Sequence, residues 1–245
     1  MQLAVEADVS SRHVSFMETG RSKPSRQMVV QIAEVLEVPL RERNALLQAA
    51  GFAPLYRQSD LDGSELASVR QSLEFLLERH NPYPAVVVDR HWNLLLQNRA
   101  SSQILPKFVE SPAALVAPVN VMQLLFRADG LQPSVANWVE LSSAMIGRLQ
   151  REAAADPGDH ETRALLEEAL TAEGVDENSH VPDLGSMTPA TAEMRLQRGD
   201  LTLGLFSAIT TLGTPFDITL QELRLETFFP VDAASEDVVR SLTSE

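Results

Sequence analysis

The chain has 245 residues, no cysteine and a formal net charge of −14 at pH 7. This length suits one large domain or two modest ones, and the lack of cysteine excludes disulfides, thiolate metal sites and cysteine nucleophiles, so we expect a cytoplasmic protein. No apolar run approaches 18 residues, and the first ten residues carry two acids and no base, so we expect neither a membrane span nor a signal peptide.

The charge is unevenly distributed along the chain. Residues 1–57 carry seven basic and six acidic side chains, whereas residues 58–245 carry thirteen basic and twenty-eight acidic ones. The balance is therefore +1 in the first part and −15 in the second, which predicts two units with different partners. The basic residues of the first part cluster between Arg12 and Arg26, either as a solvated face or as a surface for a polyanion.

Residues 1–57 have the pattern of a small helical domain. Apolar residues recur at helical spacing over 2–8, 11–19, 26–37 and 39–50. Ser10 and Ser25 are placed as N-caps, and Gly20 and Gly51 are placed as helix ends. Asp8 tolerates a left-handed backbone, so we expect a tight turn between the first two helices.

One side of these helices is expected to be buried. Its apolar stripe includes Val14 and Met17 on the second helix, Leu36 on the third and Leu46 on the fourth. Two short helices joined by a three-residue turn form a helix-turn-helix unit, whose second helix fits the major groove of DNA.

Two long segments carry a resemblance to a known family. VSSRHVSFMETGRSKPSRQMVVQIAEVL (9–36) and VPLRERNALLQAAGFAP (38–54) resemble helix-turn-helix regulators of the XRE type. Within that group they resemble the branch with a C-terminal MmyB-like ligand-binding domain. The resemblance runs without gaps over residues 1–57 and implies a transcription regulator that binds double-stranded DNA.

The resemblance also assigns roles in DNA binding by position. The exposed positions of the recognition helix correspond to Ser11, Arg12, Ser15 and Phe16. Arg12 would read guanine through a bidentate contact, and Phe16 would either pack on a thymine methyl group or serve as a core aromatic. Phosphate contacts, which orient the protein without reading sequence, correspond to Thr19, Arg21, Lys23 and Ser25.

The sequence departs from the XRE pattern ahead of this unit. The family has a further helix, ending in a Ser-Gln pair, before the position of Met1. That helix covers the apolar sides of the helices that follow, so we expect a truncated domain that is poorly covered and pairs with a second copy of the chain. We also expect weakened DNA binding for the chain as given.

A polar linker at 58–65 leads to a second pattern over 66–245. Short apolar runs predict strands at 85–89, 92–98, 190–198, 201–211 and 217–229. Helical spacing predicts helices at 66–80, 98–105, 119–126, 134–155, 161–172 and 234–243, with a polar loop over 173–189. Two strands, a helical insert and three strands are the layout of a PAS-like antiparallel sheet domain, so the chain as a whole is expected to be α+β.

The second part resembles the MmyB-like ligand-binding domain. The resemblance covers 66–245 and rests on PYPAVVVDRHWNLLLQNRA, NVMQLLF, ANW at 136–138 and TLQELRLETFFPVD. It implies a ligand-sensing regulator with a fatty-acyl ligand. The apolar candidates for the pocket are Phe126, Trp138, Leu141, Met145, Leu149, Phe206, Leu225 and Phe228. The polar candidates to orient a head group are Asn98, Asn137 and Arg148; each of these residues is otherwise ordinary core or surface.

The sequence contains no HExxH, GxSxG, P-loop or GxGxxG motif. Its five histidines are scattered through different predicted elements, so we expect no metal site, no cofactor beyond a bound apolar ligand, and no catalysis. The favoured hypothesis is a cytoplasmic, dimeric transcription regulator that senses an apolar small molecule. The alternative is a ligand- or protein-binding module whose DNA-binding unit is defective.

Overall fold

The computed structural model describes residues 2–175 and 192–244. Within them the chain forms two compact units. The first combines the residues up to Ala67 with Leu212–Glu222, and the second combines Ser68–Thr211 with the residues from Leu223 onward. Most of the loop predicted at 173–189, and the first two residues of the strand predicted at 190–198, lie outside the described residues.

The secondary structure follows the predicted order with one addition. The helices are α1 (Gln2–Glu6), α2 (Ser11–Glu18), α3 (Arg26–Val35), α4 (Leu40–Ala49), α5 (Ala67–His80), α6 (Arg99–Phe108), α7 (Val121–Phe126), α8 (Trp138–Ala155), α9 (His160–Leu170), α10 (Ile218–Glu222) and α11 (Ala233–Thr243). The strands are β1 (Ala85–Val88), β2 (Leu94–Gln97), β3 (Glu193–Arg198), β4 (Leu201–Thr210) and β5 (Arg224–Pro230).

Helix α10 corrects the strand predicted at 217–229. The carboxylate of Asp217 accepts the backbone N–H of Thr219 at 2.9 Å, a side-chain contact that starts a turn and competes with extended pairing. Residues 218–222 are therefore helical, and only Arg224–Pro230 forms the strand.

The predicted starts of α2 and α3 are confirmed by their capping geometry, whereas α1 and α3 each end two residues before the predicted position. The Ser10 hydroxyl accepts the backbone N–H of His13 at 3.2 Å, and the Ser25 hydroxyl accepts that of Met28 at 3.2 Å. Asp8 has a positive φ of 47° at the end of α1, and Gly20 has a φ of 69° after α2. Asp8 and Ser10 therefore define the turn between α1 and α2, and Gly20 and Ser25 define the turn between α2 and α3.

The first unit is thinly packed around α2. Ala33 of α3 and Leu47 of α4 are fully buried, whereas α2 has no buried residue. The predicted burial of Val14 and Met17 is only partial. The predicted burial of Leu36 and Leu46 is wrong, since these side chains are 56% and 44% exposed. The five residues of α1 are too short to cover the apolar side of the helices that follow.

Residues 212–222, which we call the β4–β5 connection, complete the first unit. The guanidinium of Arg41 on α4 forms a bidentate pair with the Glu222 carboxylate, with N–O distances of 2.7 and 2.9 Å. The Ser59 hydroxyl donates to Asp217 at 2.7 Å, within the segment predicted as linker. Ile218 is buried, so the connection adds an apolar anchor as well as polar contacts.

The second unit is built on a five-stranded sheet in the order β2-β1-β5-β4-β3, with every neighbouring pair antiparallel. Two hairpins, β1–β2 and β3–β4, are joined through the central strand β5. The predicted turn at Gly199-Asp200 is confirmed by a φ of 58° at Gly199. Helices α6–α9 lie between β2 and β3 in the chain, as predicted for the helical insert.

Side chains alternate between the two faces of this sheet. We call inner face the one that carries Val86 of β1, Leu205 and Ser207 of β4, and Glu226 and Phe228 of β5. It packs against the helical insert in one core, whose largest fully buried side chains include Trp92, Phe108, Ile146, Leu149 and Leu203. The strand residues on the inner face are therefore the ones that can line a cavity inside the domain.

Candidate functional site

The exposed face of α2 carries the residues that sequence reasoning assigned to base contacts. Ser11, Arg12 and Ser15 are exposed and Phe16 is half-buried. The Arg12 guanidinium lies 5.2 Å from the centroid of the Phe16 ring, a distance at which the ring attracts the cation. Phe16 is therefore a half-buried aromatic beside a cation, on a helix without a fully buried residue.

The residues assigned to phosphate contacts lie along the α2–α3 turn, from Thr19 at its start to Ser25 at its end. Within the described part of the chain, Arg21 and Lys23 are exposed and form no ion pair. The Thr19 hydroxyl donates to the Ser15 carbonyl at 2.7 Å, and the Ser25 hydroxyl caps α3. The two hydroxyls thus hold the helix ends, and the charge that could meet a phosphate comes from Arg21 and Lys23.

An internal cavity of about 150 Å³ lies between the inner face of the sheet and helices α6, α7 and α8. Its lining is almost wholly apolar and includes Val86, Trp92, Leu94, Ile104, Leu105, Val119, Val121, Met122, Leu124, Leu125, Leu131, Leu141, Met145, Met194, Leu196, Leu205 and Phe228. Among the residues that the structure describes, the polar side chains in the lining are Ser101, Ser207 and Glu226. A cavity of this kind suits an apolar molecule with a single polar group.

Three of the apolar candidates line the cavity, namely Leu141, Met145 and Phe228. Phe206 and Leu225 do not, because their neighbours Leu205 and Glu226 occupy the inner face and strand alternation turns them to the other side. There Phe206 stacks on Phe229, with ring centroids 5.3 Å apart.

The other apolar candidates belong to the core around the cavity. Leu149 is fully buried among core side chains, and Phe126 meets Trp138 edge to face at 5.3 Å between centroids. The Trp138 indole N–H donates to the Glu173 carbonyl at 3.0 Å. The predicted burial of Phe126 and Leu149 is confirmed, whereas Trp138 is half-buried. None of the three is among the lining residues.

The polar candidates are occupied elsewhere. The Asn98 carbonyl oxygen accepts the backbone N–H groups of Ala85 and Ser101, each at 3.0 Å, which caps α6 against β1. The Asn137 amide bonds the backbone of Glu193 and Arg195, each at 2.9 Å. Arg148 lies over the Trp92 ring. None of the three lines the cavity, because each satisfies backbone or aromatic partners beside it.

A half-buried charged cluster adjoins the cavity at the buried Trp92. The guanidinium groups of Arg148 and Arg224 lie 4.4 and 4.9 Å from the centroid of the Trp92 ring. The Glu152 carboxylate accepts the indole N–H at 3.0 Å and pairs with Arg224 at 2.8 Å and with Arg148 at 3.2 Å. Burial lowers the pKa of Arg224, while the Glu152 charge opposes that change.

Among the described residues that line the cavity, Glu226 is the one with an ionisable side chain. It is 8% exposed on the inner face of the central strand. Burial raises the pKa of its carboxyl, while a hydrogen bond with Ser207 and the charges of Arg148 and Arg224 act in the opposite direction. Sequence reasoning missed Glu226 and the Trp92 cluster; a glutamate inside the otherwise apolar strand RLETFFP was the available signal.

Among residues 2–175 and 192–244, no group of three or more His, Asp or Glu side chains is arranged to hold a metal ion. In the same ranges, no helix is both long and apolar enough to cross a membrane.

The comparisons with known proteins agree with this arrangement. The family described as the MmyB-like transcription regulator ligand binding domain matches residues 69–242, and a helix-turn-helix family matches residues 2–43. A comparison with curated proteins finds no match. A solved structure titled "Structure of an RNA-binding Light-Oxygen-Voltage Receptor" is 13% identical over 99% of this chain, with a TM-score of 0.28.

That last likeness carries no argument about fold or function, and this chain spans 60% of the length of that structure. The two family matches name the domains of a ligand-sensing transcription regulator. Since the first of them covers more than half of the 245 residues, the chain belongs to the family with the MmyB-like transcription regulator ligand binding domain.

Proposed function

We propose that this regulator binds double-stranded DNA as a homodimer and that its second unit senses a small apolar molecule of the fatty-acyl class. The observation that carries the proposal is the apolar cavity of about 150 Å³ between the sheet and the helical insert. An apolar cavity of about this size stays dry and admits molecules such as benzene. A ligand that binds there stabilises the folded state in proportion to its concentration.

The exposed side of α2 supports DNA binding. It presents Arg12 beside Phe16, with Arg21 and Lys23 in the turn that follows. Arginine reads guanine by a bidentate contact, and phosphate contacts orient the helix in the major groove. Two such units related by a two-fold axis would meet half-sites about one helical turn apart.

Exposed apolar side chains support association with a second copy. Val5 is 79% exposed, and Leu36 and Leu46 are also exposed in the first unit. Burying such side chains against the same surface of a partner would remove them from water. Light scattering over a range of concentrations tests this, and a monomer at every concentration would contradict the dimer.

The β4–β5 connection supports a route from ligand to DNA. Its residues Asp217 and Glu222 bond to Ser59 and Arg41 of the first unit. It is continuous with β4 and β5, whose inner face carries Ser207, Glu226 and Phe228 in the cavity wall. A ligand that shifts these strands would therefore also shift residues that contact α4. Coupling between the ligand and DNA requires contacts that differ in this way between the free and the ligand-bound states.

Two measurements test the proposal. Native and denaturing mass spectrometry of the purified protein should detect a carried acyl compound, and a panel of fatty acids with the matching alcohols and esters should raise the melting temperature. A mobility-shift assay on the promoter of the protein's own gene should give a complex that weakens with rising salt. A panel with no ligand and no shift in melting temperature would contradict the sensor, whereas the absence of a DNA complex would favour the alternative of a binding module with a defective DNA-binding unit.

A further inference from the structure

The polar part of the cavity wall is small and can be examined group by group. The Ser101 hydroxyl donates to the Ala85 carbonyl at 2.9 Å and accepts the Ala85 N–H at 2.9 Å. It is therefore committed to the β1 backbone. The other two polar side chains that the described residues contribute to the wall are Ser207 and Glu226. The Glu226 carboxyl has two oxygens and therefore the greater capacity to meet a ligand.

The surroundings of Glu226 restrict the charge of that ligand. The lining next to it is apolar, from Val86, Leu205 and Phe228, and a charged head group would lose its hydration there with little in return. Burial raises the pKa of Glu226, which favours the form that can donate as well as accept a hydrogen bond.

We propose that Glu226 is the head-group contact of the cavity and that it selects ligands with an uncharged hydrogen-bonding group, such as an alcohol, ester or amide, over ionised acids and amines. This inference rests on the proposed sensor function and names the part of the acyl class that the site takes. A carboxylic acid at Glu226 donates to a carbonyl oxygen, and a carboxylate accepts from a hydroxyl. An uncharged head group is thus bonded in either state of Glu226.

Matched six-carbon probes test the selection, because a six-carbon molecule is what a cavity of about 150 Å³ admits. The probes are 1-hexanol, hexanoate and hexylamine, with benzene as a control without a head group. Binding is measured at pH 7 by titration calorimetry on the full chain. We expect 1-hexanol to bind about tenfold more tightly than either charged probe.

Two variants separate the hydrogen bond from the charge. Glu226→Gln keeps an uncharged donor and acceptor, so 1-hexanol should bind within about threefold of the wild type, while hexanoate should gain because the amide donates to it without repulsion. Glu226→Leu removes the hydrogen bond, so 1-hexanol should lose about tenfold while benzene binds at least as tightly. Circular dichroism with the melting temperature checks that both variants are folded.

The outcomes distinguish this inference from the sensor itself. Hexanoate or hexylamine binding as tightly as 1-hexanol to the wild type would overturn the selection, and so would an unchanged preference in folded Glu226→Gln. If benzene binds and the head group makes no difference, the cavity takes ligands but Glu226 does not choose them. If none of the four probes binds, the sensor proposal fails and the selection fails with it.

Discussion

Helix α2 of the first unit has no buried residue, whereas α8 of the second unit buries Leu141, Ile146 and Leu149. The first unit relies on capped helix ends and on polar contacts such as Arg41–Glu222. The second has a continuous core around an apolar cavity, with a half-buried charged cluster beside it. A surface that binds DNA must leave its cations accessible to phosphate. A space for an apolar ligand must instead be surrounded by packed side chains.

The largest expected effect is on the core of the second unit. Leu149→Ala removes a fully buried side chain and should lower the free energy of unfolding by about 2–5 kcal/mol, from lost transfer energy and a new void. Leu46→Ala in the first unit, where the side chain is 44% exposed, should cost less than about 1 kcal/mol. Urea denaturation followed by circular dichroism measures both, and equal losses would remove the contrast between the units.

The next effect concerns Asp159, which joins the β1–β2 turn to α9 in the second unit. Its carboxylate contacts Arg90 at 2.5 Å and His91 at 3.1 Å and accepts the Thr162 hydroxyl at 2.7 Å. Burial acts to raise the pKa of Asp159, but the hydrogen bonds from Thr162 and the charges of His91 and Arg90 outweigh it and hold the pKa well below its ordinary value. Asp159→Asn should therefore cost about 2–3 kcal/mol at pH 7.

The direction of the pKa change at Asp159 determines how that loss of stability depends on pH. Because the folded pKa is depressed, the stabilisation is fully present above the ordinary Asp value near ~4 and is lost as the pH falls towards the folded value. The difference between wild type and Asp159→Asn in urea midpoint should thus shrink between about pH 5 and pH 2. Asp200→Asn, in the exposed turn between β3 and β4, serves as the control, and a difference that stays constant with pH would contradict the assignment.

Two similar cation–aromatic pairs offer a matched test. One lies on the proposed DNA-binding surface and the other lies in the second unit. Arg12 lies over Phe16 on α2, and Arg79 lies over Phe75 on α5, at 5.2 and 5.0 Å to the ring centroids. Arg12→Ala should cost about 1–3 kcal/mol of specific DNA binding, whereas Arg79→Ala should leave it unchanged. Fluorescence anisotropy with a labelled operator measures this, and equal effects would show that the pair acts through stability alone.

The smallest expected effect on stability is at the β4–β5 connection. Glu222→Gln breaks a partly exposed pair with Arg41 and should cost at most about 1 kcal/mol. It should nevertheless reduce the change in DNA affinity that a bound ligand produces, while each affinity alone stays within about twofold. Glu65→Gln, which breaks the exposed pair with Arg57 in the same unit, is the control. Coupling that survives Glu222→Gln would exclude this route.

Much of the fold could be predicted because its signals are local. Ser10, Ser25, Asp8 and Gly20 act within three or four residues of their own positions, and the structure confirms each. The order of strands and helices along the second unit was predicted from short apolar runs and helical spacing. The family match confirms the domain type that the resemblance implied.

The cavity was predicted only in part because its wall depends on non-local pairing. A shift of one residue turns a strand side chain to the other face, which is why Phe228 lines the cavity and Leu225 does not. The cluster around Trp92 joins residues up to 132 positions apart in the chain, at Arg224. Such a contact has no signature in either segment alone.

The β4–β5 connection has a consequence for how the protein is made. The ribosome adds about 5–20 residues per second, and Arg41 and Glu222 are 181 positions apart. The first unit therefore waits on the order of 10–40 s after Arg41 is synthesised before its last segment exists. The unit that begins the chain is completed only when four of the five strands of the other unit have been translated. Nascent chains should lack the finished DNA-binding unit until Glu222 has been translated.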